Sequence, residues 1–261
     1  MSNATLTGVR DFVEDSHHDG LPSPLHQFEI QKIIPLEIGR YDLSFTNASA
    51  FMMLMVGLVL CFFILSIRKQ KLIPSKFQLI SEMIYGFISS MLNDTAGHTA
   101  RPYFPFVFSL FLFILGANLL GMIPYTYTVT SQIIVTFSLA MGVFILITCI
   151  GFICHGYRFM GYFVPQGVPK ILLPLIIPIE LISYLSRPIS LSIRLFANMM
   201  AGHTMLKVFA GFTIVMGMWG IAPLLLNVAL TAFEIMIAVL QAYVFTILTC
   251  IYLHDALHLH A

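Results

Sequence analysis

The sequence predicts an all-α polytopic membrane protein with about five transmembrane helices, one interfacial amphipathic helix, and a long tilted helical hairpin at the end of the chain. Three observations carry that prediction. The 261 residues include only 13 Lys and Arg and 12 Asp and Glu, so 10% are charged where a soluble domain has about 25%. Hydrophobic residues make up 58% of the chain, and 23 of them are Phe. The charges are also unevenly placed, because residues 102–261 carry eight in all: Arg158, Lys170, Glu180, Arg187, Arg194, Lys207, Glu234 and Asp255. A globule in water could not cover itself with so few charges and would expose one large apolar patch. The same composition excludes a disordered chain, a disulfide-stapled secreted domain and a nucleic-acid binder with a basic footprint.

The elements follow in order. Residues 1–47 form a polar segment with seven acids and three bases. Ala48–Ile67 is an apolar run of 20 residues, enough to cross a hydrocarbon core of roughly 30 Å. It ends in IRKQKLIPSK, whose four bases place that loop inside and the acidic segment outside by the positive-inside rule. Residues 77–93 carry an apolar stripe (Leu79, Ile80, Met83, Ile84, Ile88, Met91, Leu92) between polar ends, with Glu82 off the stripe. That pattern reads as an amphipathic helix along the inner interface, with a short span as the alternative. Residues 104–124 form the next crossing, with Tyr103, Tyr125 and Tyr127 placed as interfacial aromatic anchors. After the polar turn Thr126–Gln132, residues 133–154 return to the inside, where His155, Arg158 and Lys170 stand.

Residues 171–215 contain no obvious polar loop, nor do residues 221–253. As one helix the first stretch would be about 68 Å long, more than twice the hydrocarbon thickness, so it is either broken or steeply tilted. Pro174, Pro178 and Pro188 permit kinks. The turn falls at Met216–Gly220, which makes the pair a long tilted hairpin. Cys61, Cys149, Cys154 and Cys250 all lie within apolar runs and read as small hydrophobes, with no metal site and no cofactor expected.

Within the first arm, Glu180, Ser183, Arg187, Ser190, Arg194 and Asn198 recur at spacings of 3, 4, 3, 4 and 4. At 100° per residue they occupy about 80° of arc, one polar stripe on a helix of Ile, Leu and Phe. Ala197 and Ala201 extend it with side chains small enough for another helix to approach closely. On the returning arm, Glu234 and Gln241 are seven residues apart and share a face. In an antiparallel hairpin turning near Trp219, His203 comes level with Glu234 and Arg194 with Gln241. The serines Ser183, Ser186 and Ser190 read as packing groups or as lining of a polar path. His203 and Glu234 read as an ion pair or as a proton relay. Arg187 either pairs with Glu180 or reaches an interface, and Lys207 snorkels near the outer end. Arg194 has no acid within one helical turn, so its counter-charge comes from another helix or another protein. On a straight helix His203 lies about 180° around from Arg194; either a bend near Gly202 brings it closer or the path runs along the other side.

The string SLSIRLFANMMAGHTMLKVFAG (190–211) resembles the signature of subunit a of the F-type ATP synthase, the channel subunit of that complex's membrane sector. NLLGMIPY (118–125), LQAYVFTILTCIYLHDALH (240–258) and FEIQKIIPLEIGRYDLSFTN (28–47) are similar to further family motifs. The resemblance implies a proton-channel stator subunit with no nucleotide chemistry of its own, loading protons on the carboxylates of a rotating c-ring. In that family Arg194 matches the essential arginine facing the rotor carboxylate, and Asn198 and Gln241 match its polar neighbours. His203 and Glu234 match the outer half-channel; Glu180, Ser183, Ser186 and Ser190 match the inner one. The implied partners are the c-ring, peripheral-stalk subunit b, other ATP synthase subunits and membrane lipid, with no nucleic acid. The implied location is a bacterial plasma membrane or a mitochondrial inner membrane, N-terminus outside and C-terminus inside. The rival readings are a self-contained proton-coupled transporter, which would show repeated halves, and a structural subunit of a respiratory complex.

Overall fold

A computed structural model describes residues 32–34, 37–38, 41–42, 44–67, 75–123, 126–163 and 173–258. Outside these residues lie most of the acidic N-terminal segment, the basic loop at Arg68, Lys69 and Lys71, the expected anchor Tyr125, and Lys170. Six α-helices form the body: α1 (Asn47–Ile67), α2 (Lys76–Ala96), α3 (Phe104–Gly121), α4 (Ile133–His155), α5 (Leu173–Val215) and α6 (Ile221–Leu257). Ahead of them, β1 (Lys32–Ile34) pairs antiparallel with β4 (Phe45–Thr46), and β2 (Glu37–Ile38) with β3 (Tyr41–Asp42). These two-stranded pairs leave the membrane part all-α.

Five helical stretches are long and apolar enough to cross a membrane: α1, the stretch His98–Gly121 that ends with α3, α4, α5 and α6. The chain is a multi-pass membrane protein. Helix α2 is not among the five, and its sequence explains why. Ser75 caps it by accepting from the Gln78 amide, and Gln78 donates to Glu82 at 2.8 Å, so its first turns are polar. Its stripe divides in two: Ile88, Met91 and Leu92 are buried, while Leu79, Ile80 and Met83 remain exposed.

The main core joins α2, α3, α4, α5 and α6 through residues such as Ile88, Val107, Ile114, Val143, Leu195 and Phe245. Helix α1 stands at the edge, held by Met55 in a groove at Gly116 and by Ser66, whose hydroxyl meets that of Ser81 at 2.5 Å. The remaining faces expose Leu60, Ile64, Ile134, Ile153 and Leu225, apolar surface suited to lipid rather than water.

Helix α5 is continuous over 43 residues, with Pro178 and Pro188 inside it and Pro174 in its first turn. At 1.5 Å per residue it is about 65 Å long, and of the two expected outcomes a break is not found. The turn at Gly217–Gly220 is one 3-10 turn. Gly217 has φ 54°, a left-handed conformation that suits glycine. At Gly220 the helix ends approach so closely that a Cβ would run into the carbonyl oxygen of Thr213. Helix α3 stops at Gly121 rather than at residue 124, and α6 continues to Leu257, past the apolar run, because Asp255 and Ala256 still pack inward.

Gly220→Ala should therefore force the hairpin open at its turn. Overpacking costs about 1–3 kcal/mol, read as a lowered unfolding midpoint of the detergent-solubilised protein; an unchanged midpoint would contradict the close approach.

Candidate functional site in the C-terminal hairpin

The polar stripe of α5 faces away from its own chain. Ser183, Ser186, Ser190, Arg194, Ala197 and Ala201 are exposed, and Glu180, Arg187 and Asn198 are half-buried. The opposite face, with Tyr184, Pro188, Leu191, Ser192, Leu195 and Met199, is buried in the core. Arg194 is the middle residue of the helix. Glu180, Arg194 and Asn198 make no side-chain hydrogen bond or ion pair with any described residue. Ser186 donates to the Ser183 carbonyl at 2.8 Å, which satisfies one of the three serines on the helix itself.

Gln241 lies in α6 at 7% exposure, turned inward, while Arg194 is exposed; no hydrogen bond joins them. The structure does bring His203 and Glu234 together, with Nε2 3.6 Å from Oε1. Glu234 is 4% exposed, and neither carboxyl oxygen has a hydrogen-bond partner among the described residues. An isolated buried carboxylate is costly, so the imidazole is its one means of charge matching within the hairpin. Gly202 makes the approach possible, since a Cβ there would sit 2.5 Å from Oε1 and 2.8 Å from Cδ. The pair therefore forms on the side of α5 that faces α6, away from the open stripe, and Gly202 acts as a gap for the carboxyl rather than as a bend.

Arg187 does not pair with Glu180. Its Nη1 lies 3.6 Å from Asp255 Oδ2, and its guanidinium is placed over Tyr184 and Tyr252 at 5.3 and 4.9 Å from the ring centroids. Tyr184 in turn meets Thr148 of α4 at 2.8 Å. Three helices are thus tied together at the end of the hairpin away from its turn, by one cation, one acid and two rings.

The α3–α4 connection also differs from the expectation of an interfacial turn. Tyr127, Thr128, Val129, Thr130 and Ser131 are all buried, and a 3-10 turn spans Val129–Ser131. Tyr127 packs with Ala48 and Val129 and takes a hydrogen bond from Gln132 at 2.5 Å, so it is not an outward anchor. Burial pushes its phenol above the ordinary value, with the Gln132 bond working against that. Tyr103 likewise packs partly into the main core. From this buried turn Thr128 reaches His203, Oγ1 to Nε2 at 3.2 Å.

Several of these residues escaped sequence reasoning. Asn118 of α3 is fully buried; it donates to the Ala238 carbonyl at 3.2 Å, while its Oδ1 has no partner among the described residues. Asn227 Oδ1 and Thr130 Oγ1 are also buried without partners among the described residues. Asn227 lies seven residues before Glu234, a spacing legible in principle; Thr128 and Thr130 gave no local signal. Cys250 is buried, and Cys61, Cys149 and Cys154 are exposed on their helices.

The profile of the family described as ATP synthase A chain matches residues 49–254. The chain belongs to the ATP synthase A chain family. It is 58% identical over 240 residues to ATP synthase subunit a of Pelagibacter ubique, covering 91% of this chain and 98% of that one. It is 57% identical over 247 residues to ATP synthase subunit a of Parvibaculum lavamentivorans (92% and 95% covered), and 57% over 242 residues to that of Rhizobium meliloti (90% and 97%). The ATP synthase A chain match runs from the first turn of α1 to the last turn of α6 and includes the entire polar stripe.

The Arg187–Asp255 pair is partly exposed and should couple weakly. A double-mutant cycle of Arg187→Gln and Asp255→Asn on thermal unfolding should give a coupling of about 0.2–1 kcal/mol; strictly additive losses would show that the pair contributes nothing.

Proposed function

We propose that the chain is the proton-channel stator subunit of the ATP synthase membrane sector. It provides two offset half-channels that load and unload protons on the carboxylates of a rotating ring of c subunits, coupling proton flow to ATP synthesis or hydrolysis. The observation that carries this reading is the position of Arg194. A guanidinium at the middle of an apolar hairpin costs at least about 2.5–3.5 kcal/mol on insertion scales, and no described group of its own chain pairs with it. It lies on an open stripe bordered by Ala197 and Ala201. A second helix carrying a carboxylate at that depth matches both the charge and the space.

Arg194 cannot relay the proton, because a guanidinium is effectively never deprotonated in a protein. It favours the charged form of an approaching rotor carboxylate and so promotes proton release. Its fixed charge also bars protons from passing straight between the two half-channels through a low-dielectric gap. Asn198 and Gln241 are its polar neighbours. Glu180 lies about 21 Å along α5 on one side and His203 about 13 Å on the other. Glu180, with Ser183, Ser186 and Ser190, lines the inner half-channel; His203 and Glu234 line the outer one. Two paths offset in depth make ion passage require rotation. The c-ring, peripheral-stalk subunit b and the remaining ATP synthase subunits are the partners. The N-terminus lies outside and the C-terminus inside a bacterial plasma membrane or a mitochondrial inner membrane. The chain carries no nucleotide site.

Arg194→Ala should abolish ATP-driven proton pumping while the complex still assembles, and normal coupling in that variant would reject the mechanism. Arg194→Cys and Ala197→Cys should each crosslink to a cysteine on the ring helix. A chain that copurifies alone and forms no such crosslink is instead a self-contained transporter.

A further inference from the structure

We propose that Thr128, in the buried α3–α4 connection, is a positioning residue for His203: it holds the ring with Nε2–H directed between Thr128 and Glu234 and leaves Nδ1 as the nitrogen that takes up and releases protons. This rests on the reading of His203 and Glu234 as the outer half-channel. Thr128 is 5% exposed, and its Oγ1 has two polar neighbours: the Gly121 carbonyl at 3.4 Å and His203 Nε2 at 3.2 Å. A hydroxyl has one hydrogen to give. Gly121 ends α3, where carbonyls run out of helical amides, and the Thr128 hydroxyl donates its hydrogen to the Gly121 carbonyl. Oγ1 then meets Nε2 with a lone pair, and Nε2 must carry the hydrogen. Glu234 Oε1, 3.6 Å from the same nitrogen, makes no hydrogen bond to it, but its negative side favours the hydrogen on Nε2 as well.

The proton balance is simple. Uptake forms a bond from the Nδ1 lone pair to a proton delivered from the outer side, and release breaks that bond, while Nε2–H stays intact throughout. Glu234 supplies the negative charge beside the imidazolium. Lys207, one turn further along α5, is the other charged group on that helix near His203, and the described part of the α3–α4 connection offers hydroxyls rather than charges. Gly121 sets the position of Thr128, because a Cβ there would lie 2.7 Å from its Cγ2 and 2.9 Å from its Oγ1.

The test uses the whole ATP synthase in inverted membrane vesicles, with ATP-driven acidification as the readout and complex content measured in parallel. Thr128→Val keeps the shape and removes the acceptor; it should slow proton pumping about three- to tenfold, the scale of one net hydrogen bond. Thr128→Ser keeps the oxygen and should restore pumping to within about twofold of the unaltered complex. Gly121→Ala displaces the hydroxyl without removing it and should reproduce the loss, which gives an independent readout if the valine variant assembles poorly. In a His203→Gln background Thr128→Val should add nothing, because it acts only through the ring. Normal pumping by both Thr128→Val and Gly121→Ala, or a loss by Thr128→Val that multiplies that of His203→Gln, overturns the inference. If His203→Gln lowers pumping and Thr128→Val does not, this inference alone falls; if His203→Gln pumps normally, the outer half-channel reading falls with it.

Discussion

A charge placed inside a low-dielectric slab has to be matched by an opposite charge, by hydrogen bonds or by water, since otherwise its desolvation cost exceeds what packing returns. The hairpin of α5 and α6 answers that constraint at two of its charges and leaves it open at a third. Arg187 is matched at home, by Asp255 and by the faces of Tyr184 and Tyr252. Glu234 lies across the hairpin from His203, whose imidazole would match its charge when protonated, in a gap that a glycine at 202 leaves open. Arg194, halfway along α5, has no match among the described residues. The first two make the hairpin a self-consistent unit, and the third makes it incomplete. Most of the remaining fold, with α2, α3 and α4 packed on the closed face, supports one helix so that its open face can be offered to something else.

Much of this was legible from residue spacing. Charge scarcity and run length define the spans, because hydrocarbon thickness is a fixed ruler. The stripe from Glu180 to Asn198 was legible because a helix converts a 3-4 spacing into one face whatever surrounds it. Depth matching across the hairpin anticipated the meeting of His203 and Glu234, since two antiparallel helices share one rise per residue.

What stayed hidden depended on contacts between segments far apart in the chain. Arg187 finds Asp255, 68 residues away, rather than Glu180 on its own helix. Tyr127 looked like an anchor because a tyrosine beside an apolar run usually lies at an interface; here the connection folds inward, and the ring packs on Ala48 of α1. Thr128 and Asn118 matter through partners on other helices, and neither periodicity nor composition records such partners.

The two prolines within α5 give its two halves different chemistry. Each lacks the amide that would bond the carbonyl four residues back, so Pro178 cannot donate to the Pro174 carbonyl, nor Pro188 to the Tyr184 carbonyl. Both acceptors lie on the Glu180 side of Arg194, and from Ile189 to Val215 the helix contains no proline at all. One half of the rod therefore carries two backbone carbonyls that its own helical ladder does not bond. The other half has no proline to interrupt its backbone ladder and presents polarity through side chains. A single side-chain substitution would thus remove a smaller share of the polarity from the first half than from the second.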